Sequence, residues 1–155
     1  AQIDKYGNIN ATVIGGYDHP KVRLPGSGGS QEIAAWANRC YIMTPHQKRR
    51  FPEKVEFMTS AGSIGGKGDR EKAGLRGGGM LAVVTDIGIL EPDESGEMIL
   101  TELHPGKTAE EAKANTGWDL KVAPELKTTE AVTEKELRIL REELDPTGIY
   151  LKGGG

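Results

Sequence analysis

One stretch constrains the fold more than any other: Arg23-Leu24-Pro25-Gly26-Ser27-Gly28-Gly29-Ser30-Gln31-Glu32-Ile33-Ala34. The β-rich run Lys21-Val22-Arg23-Leu24 halts at Pro25, which has no N–H to give a strand ladder and a fixed φ. Gly26, Gly28 and Gly29 then permit backbone conformations closed to other residues. A helical pattern begins at Ser30. A strand, a glycine turn and a helix in succession make a βα unit, and such units build α/β folds. The same turn leaves bare N–H groups where an anionic oxygen could sit. A tight βα turn without a ligand has the same local sequence, so the pattern alone leaves both readings open.

The 155 residues suffice for one domain with a real core, expected to span 1–155. With 36% hydrophobic and 28% charged residues the composition is that of an ordinary globular protein. A formal charge of −3 offers no basic excess to neutralise phosphates, which argues against a nucleic-acid partner. No apolar run approaches the roughly 18 residues that span a bilayer, so no membrane partner is expected. Cys40 is the only cysteine, so internal disulfides and cysteine zinc sites are excluded. Without a signal-peptide pattern, the expected location is the cytoplasm. The chain opens at Ala1 in a polar, turn-like stretch and is expected to be the C-terminal part of a longer protein, its N-terminal part missing.

Short strands are predicted over 12–14, 21–24, 40–44, 55–59 and 81–85. A hairpin pairs 87–90 with 98–103 around the acidic turn Glu91–Glu97. Ser30 is placed as the cap of a helix running to about Arg39, with Ile33, Ala34, Trp36 and Ala37 as its apolar side. Thr108-Ala109-Glu110-Glu111 and Thr133-Glu134-Lys135-Glu136 both read as capping boxes. Leu137, Leu140 and Leu144 form a helical stripe that Asp145-Pro146 ends. Residues 60–79 form a glycine-rich loop, and 123–132 read as a surface linker to the C-terminal helix. Runs 40–44, 55–59 and 81–85 are apolar on both faces, which predicts an α/β fold with a mainly parallel central sheet flanked by helices.

Gly62-Ser63-Ile64-Gly65-Gly66-Lys67 resembles a phosphate loop but has Ala61 and Gly68 where the motif needs Gly and Ser or Thr. His19, His46 and His104 are scattered, with no metal-ligand spacing, and read as turn or surface residues; no metal is expected. Cys40 reads as inert core.

Taken in order, the motifs resemble the second, or β, subunit of the class I coenzyme A transferases, of the glutaconate type. They are Gln2-Ile3-Asp4-Lys5-Tyr6-Gly7-Asn8-Ile9-Asn10, Thr12-Val13-Ile14-Gly15 and His19-Pro20-Lys21-Val22-Arg23-Leu24-Pro25-Gly26-Ser27-Gly28-Gly29. Then follow Lys48-Arg49-Arg50-Phe51, Glu53-Lys54-Val55-Glu56-Phe57, Val83-Val84-Thr85-Asp86-Ile87-Gly88, His104-Pro105-Gly106, Thr116-Gly117-Trp118 and Asp145-Pro146-Thr147-Gly148-Ile149-Tyr150.

The resemblance implies a CoA transferase-like fold and an A subunit as partner. It also implies ping-pong transfer of coenzyme A from an acyl-CoA to a carboxylic acid through a glutamyl-CoA intermediate. Backbone N–H groups of Gly26, Ser27, Gly28 and Gly29 would form the oxyanion hole, a kind of donor whose loss costs about 3 kcal/mol. Ser30 stands where the family usually has alanine. Lys67, Arg70 and Arg76 are candidate contacts to the CoA phosphates. The family's nucleophilic glutamate precedes the Gln-Ile-Asp motif, so no nucleophile is assigned in this chain, which alone is expected to be inactive. Glu94-Ser95-Gly96 mimics the glutamate's local motif from an exposed turn and is read as a decoy. Two other functions fit the same motifs: one component of an acyl-CoA hydrolase or decarboxylase, and a non-catalytic CoA-binding or assembly module.

Overall fold

A computed structural model describes residues 1–150. Two short antiparallel hairpins come first. Strands β1 (Gln2–Ile3) and β2 (Ile9–Asn10) pair Gln2 with Asn10, and β3 (Val13–Gly15) pairs with β4 (Pro20–Arg23). The glycine turn follows, then α1 (Ser30–Trp36). The remaining strands form one sheet: β5 (Cys40–Met43), β6 (Met80–Val84), β7 (Gly88–Pro92), β8 (Met98–Leu103) and β9 (Val122–Thr128) lie side by side in chain order.

The architecture is α/β, but the sheet is mixed where a mainly parallel one was predicted. β5 and β6 run parallel, as do β8 and β9; β6/β7 and β7/β8 are antiparallel. The cause is the tight turn after β6. Thr85 Oγ1 accepts the N–H groups of Ile87 and Gly88, and Thr85 N–H donates to Gly88 O, so the chain reverses at once. A reversal that short can join only antiparallel strands. Gly88 must be glycine, because a Cβ there would collide with Glu102 O on β8.

The core is built from Ile3, Phe51, Met80, Val83, Ile87, Leu90, Met98, Leu100, Trp118 and Leu120. Helix α3 (Ala109–Ala114) contributes Ala112 to it. Thr108 caps α3 by accepting from Glu111 N–H at 3.1 Å, while the Glu111 carboxylate pairs with Lys107, so only half of the predicted box forms. Both halves form at Thr133, the cap of α4 (Glu134–Arg138), which continues as a wider π-helical turn over Ile139–Leu144.

Three other expectations are corrected. Val55–Thr59 is not a strand: Val55 N–H donates to the Asp4 carboxylate and Thr59 N–H to Ile9 O, so no ladder is made. Residues 123–128, read as linker, belong to β9; its mostly exposed residues, Pro124 among them, suit an edge position. Helix α1 buries only Ala34, whereas Ile33 and Trp36 are 62% and 61% exposed. β5, the other edge, likewise leaves Tyr41 and Met43 exposed. Within 60–79 a one-turn helix α2 (Asp69–Lys72) interrupts the loop.

Candidate active site

The opening motif of the chain is a scaffold. Asp4 accepts the N–H groups of Tyr6 and Asn8 and also the Asn8 amide, rounding the β1–β2 turn. Asn8 then reaches across to the distant loop. Its Oδ1 accepts from Gly62 N–H (2.9 Å) and Ile64 N–H (3.1 Å), and its Nδ2 donates to Ile64 O at 2.7 Å. Asn10, fully buried, donates to Gln2 Oε1 and Val13 O and accepts from the N–H groups of Thr12 and Val13. A buried amide with both donors and both lone pairs occupied fixes its surroundings instead of destabilising them. Asn10 thereby sets the course of Thr12 and Val13, next to the glycine turn's entrance, while Asn8 ties the β1–β2 turn to residues 62–64.

The turn itself is held at its entrance. Leu24 N–H donates to Thr12 O (2.9 Å) and Gly26 N–H to Ala11 O (2.7 Å). Gly26 and Gly28 have φ of +94° and +50°, conformations that favour glycine. Gly29, not Ser30, is the N-cap of α1; the Ser30 hydroxyl instead meets the Ser60 hydroxyl at 3.0 Å. Of the four predicted oxyanion donors, Gly26 N–H is therefore already engaged. The N–H groups of Ser27, Gly28 and Gly29 have no acceptor among the described residues. No atom lies within 4 Å of where a Cβ would stand on Gly28 or Gly29, so the turn opens onto free space.

The predicted phosphate contacts do not converge. Arg70 is buried, and its five N–H groups all donate to main-chain carbonyls: Gly77 O twice, Ala61 O, Gly62 O and Ala34 O, at 2.8–3.3 Å. Nothing remains for a phosphate, and Arg70 serves as a clamp on the end of α1. There Gly77 N–H and Gly78 N–H satisfy the carbonyls of Ala35 and Ala37. A Cβ on Gly77 would stand 2.5 Å from Ala37 O. Lys67 and Arg76 are exposed. Lys67 adjoins the β7–β8 turn through its N–H bond to Ser95 O, and the Arg76 guanidinium lies 5.8 Å from the Trp36 ring centre. Glu94 is exposed in the β7–β8 turn, lining one shallow cavity with Lys67.

His46 differs from its reading as a surface residue, being buried between β6 and α3. Thr116 Oγ1 donates to Ala112 O, so it accepts from His46 Nε2 at 2.9 Å; Nδ1 faces Thr85 Oγ1 at 3.3 Å. Burial holds its pKa below the usual value, against the weaker pull of Asp86 and Glu111. His104 bridges Thr129 and Thr85 O, and His19 is exposed. Cys40 is half-buried with its thiol toward Ile33 O. Among the described residues no group of three or more His, Cys, Asp or Glu could hold a metal.

A cleft of about 730 Å³ opens beside this scaffold, lined in part by Tyr6, Lys54, Met58 and Ile64. Ile64 has a φ of +62°, the one positive value at a non-glycine among the described residues. No sequence signal marks Ile64, Thr59 or Ser60. Their roles arise from contacts far apart in the chain.

The fold is thus an α/β domain with an open glycine turn between a strand and a helix. Its relatives name the family. The coenzyme A transferase model matches residues 1–115, and the chain belongs to that family. It is 49% identical over 142 residues to the β subunit of 3-oxoadipate CoA-transferase from Pseudomonas knackmussii, covering 91% of this chain and 55% of the relative. Against the β subunit of glutaconate CoA-transferase from Acidaminococcus fermentans it is 45% identical over 154 residues, covering 98% and 57%. The crystal structure of glutaconate coenzyme A-transferase from the same organism superposes with a TM-score of 0.92 over 99% of this chain and 59% of that one, at 44% identity. The chain thus spans a little over half the length of these relatives.

Proposed function

We infer that this chain supplies the oxyanion-binding part of the β subunit of a CoA-transferase. The open Ser27-Gly28-Gly29 turn, in a chain 45–49% identical to two such subunits, carries the reading. A carboxylate from outside residues 1–155 attacks the thioester carbonyl. Negative charge develops on the carbonyl oxygen, where the N–H groups of Ser27, Gly28 and Gly29 receive it. As the tetrahedral species collapses, CoA leaves as thiolate and an acyl-glutamyl anhydride remains. The thiolate then attacks the glutamyl carbonyl, which releases the first acid and forms glutamyl-CoA. The acceptor carboxylate reverses the sequence and leaves with CoA. Donors fixed before charge develops need no reorganisation at that moment, so they favour the transition state over the ground state.

Lys67 and Arg76 are exposed cations that could meet the CoA phosphates, and the partner is an A subunit. The acyl-CoA substrate and the lone cysteine fit the cytoplasm. The test is Gly28→Val in the assembled enzyme. A valine at φ +50° is strained and displaces the N–H direction. Turnover should fall at least about a hundredfold while CoA affinity changes little, as for removal of an oxyanion donor. Glu94→Gln in the same assay should be silent. Normal turnover in Gly28→Val would refute the reading, and CoA release without an acceptor acid would turn it toward hydrolysis.

A further inference from the structure

The glycine turn is gripped at both ends by two adjacent side chains, Thr59 and Ser60. Thr59 Oγ1 accepts Ala11 N–H at 2.8 Å and meets Thr12 Oγ1 at 2.7 Å. Ala11 and Thr12 are the residues whose carbonyls hold Gly26 and Leu24, so Thr59 fixes the entrance of the turn. Ser60 Oγ lies 3.0 Å from Ser30 Oγ, on the first residue of α1, and so fixes the exit. The corner is itself anchored. Thr59 N–H and Ser60 N–H both donate to Ile9 O, and Ser60 O accepts Ile9 N–H at 2.9 Å. Thr59 and Ser60 are 9% and 2% exposed, so both side chains are held largely within the protein.

We propose that Thr59 and Ser60 are positioning residues for the transfer reaction, a two-point latch that aims the N–H groups of Ser27, Gly28 and Gly29. This rests on the oxyanion reading above. The latch touches neither substrate nor reacting atoms. It acts by denying the turn the rotations that would point its N–H groups away from a developing charge. Between its grips the turn has no atom packed against Gly26, Gly28 or Gly29 at the Cβ positions, and apart from the grips its own carbonyls are held by Ser30 N–H to Ser27 O at 2.8 Å and Ile33 N–H to Gly29 O at 3.1 Å. Misdirecting a donor weakens binding of the transition state more than that of the substrate, since full charge is present only in the former.

The test uses the assembled enzyme, four single variants and one double variant. Thr59→Val removes the entrance grip, Ser60→Ala removes the exit grip from the buried side, and Ser30→Ala removes it from the helix side. Thr59→Ser keeps the hydroxyl. Amide hydrogen exchange over residues 24–34 should quicken about tenfold in the first three variants, the equivalent of one hydrogen bond, while β7 and β8 stay protected. Over the same three variants kcat should fall about tenfold, with KM for acyl-CoA within about twofold. Thr59→Ser should match the unaltered protein in both. Because Ser30 and Ser60 share one bond, the double variant should be no worse than either single one. Unchanged exchange over 24–34 would overturn the latch, as would quickened exchange with unaltered kcat. If exchange responds as stated but the unaltered enzyme turns over no acyl-CoA, with or without an acceptor acid, the oxyanion reading falls and the proposal falls with it, leaving only a structural latch.

Discussion

Replacing Arg70 tests whether this residue binds a ligand or holds the fold. Its guanidinium donates five hydrogen bonds to four carbonyls on three segments: Ala34 in α1, Ala61 and Gly62 in the loop after the latch, and Gly77 before β6. Arg70→Met strips the donor from all four. An unsatisfied buried carbonyl costs about 1 kcal/mol or more, so the gross loss is about 4 kcal/mol. Removing a buried cation returns part of its desolvation cost, which leaves about 3 kcal/mol. That is a large share of a typical domain's 5–15 kcal/mol or so. Arg70→Lys keeps the charge but has three donors in a different geometry, and should lose about half as much. Urea unfolding followed by circular dichroism would show the midpoint falling in the order arginine, lysine, methionine, with an unchanged slope. CoA affinity of the folded Arg70→Lys protein should be unaltered. Lys67→Met and Arg76→Met should show the reverse pattern, with normal stability and weaker CoA binding. A stability loss below about 0.5 kcal/mol in Arg70→Met would refute the clamp.

Two more outcomes follow from single residues. His46 is neutral in the fold and its pKa is depressed by burial, so between that lowered value and the ordinary 6.5 the unfolded chain binds more protons than the folded one. Stability should therefore be level above about pH 6.5 and decline as pH drops below it; His46→Gln should flatten that decline, and equal slopes of melting temperature between about pH 7.5 and 5 in both proteins would refute it. Ile64→Gly and Ile64→Ala both remove the side chain beyond Cβ, but only glycine relieves a φ of +62°. The glycine variant should be the more stable by about 1 kcal/mol, the opposite of the usual order, and urea midpoints would show it.

Where local pattern and tertiary contact agreed, the sequence was legible. The β6 run, the β7–β8 hairpin, the Thr133 capping box and the strand–turn–helix around Gly26–Gly29 all stand where residue chemistry placed them. Val55–Thr59 misled because its strand propensity is overridden by the Ile9 carbonyl and by the Asp4 carboxylate, which lies 51 positions from Val55 in the chain. β9 was hidden by its charges and Pro124, which only an edge strand tolerates. Arg70 and His46 carry residue types associated with ligands and surfaces. Their burial depends on which carbonyls and hydroxyls the fold brings to them, and no local window contains that information. At the site, the glycines were readable and their grips were not.

Those grips have a consequence in time. The tethers that define the turn join residues 48, 30 and 36 positions apart, at Thr59–Ala11, Ser60–Ser30 and Arg70–Ala34. The β7–β8 hairpin closes across a turn of only a few residues. Loops that long are entropically slow to close, so the hairpin forms early in folding and the turn acquires its shape late. On warming the order runs backward. The glycine turn loosens while the β7–β8 hairpin is still paired, so its N–H groups lose their fixed directions before the hairpin's own backbone bonds give way.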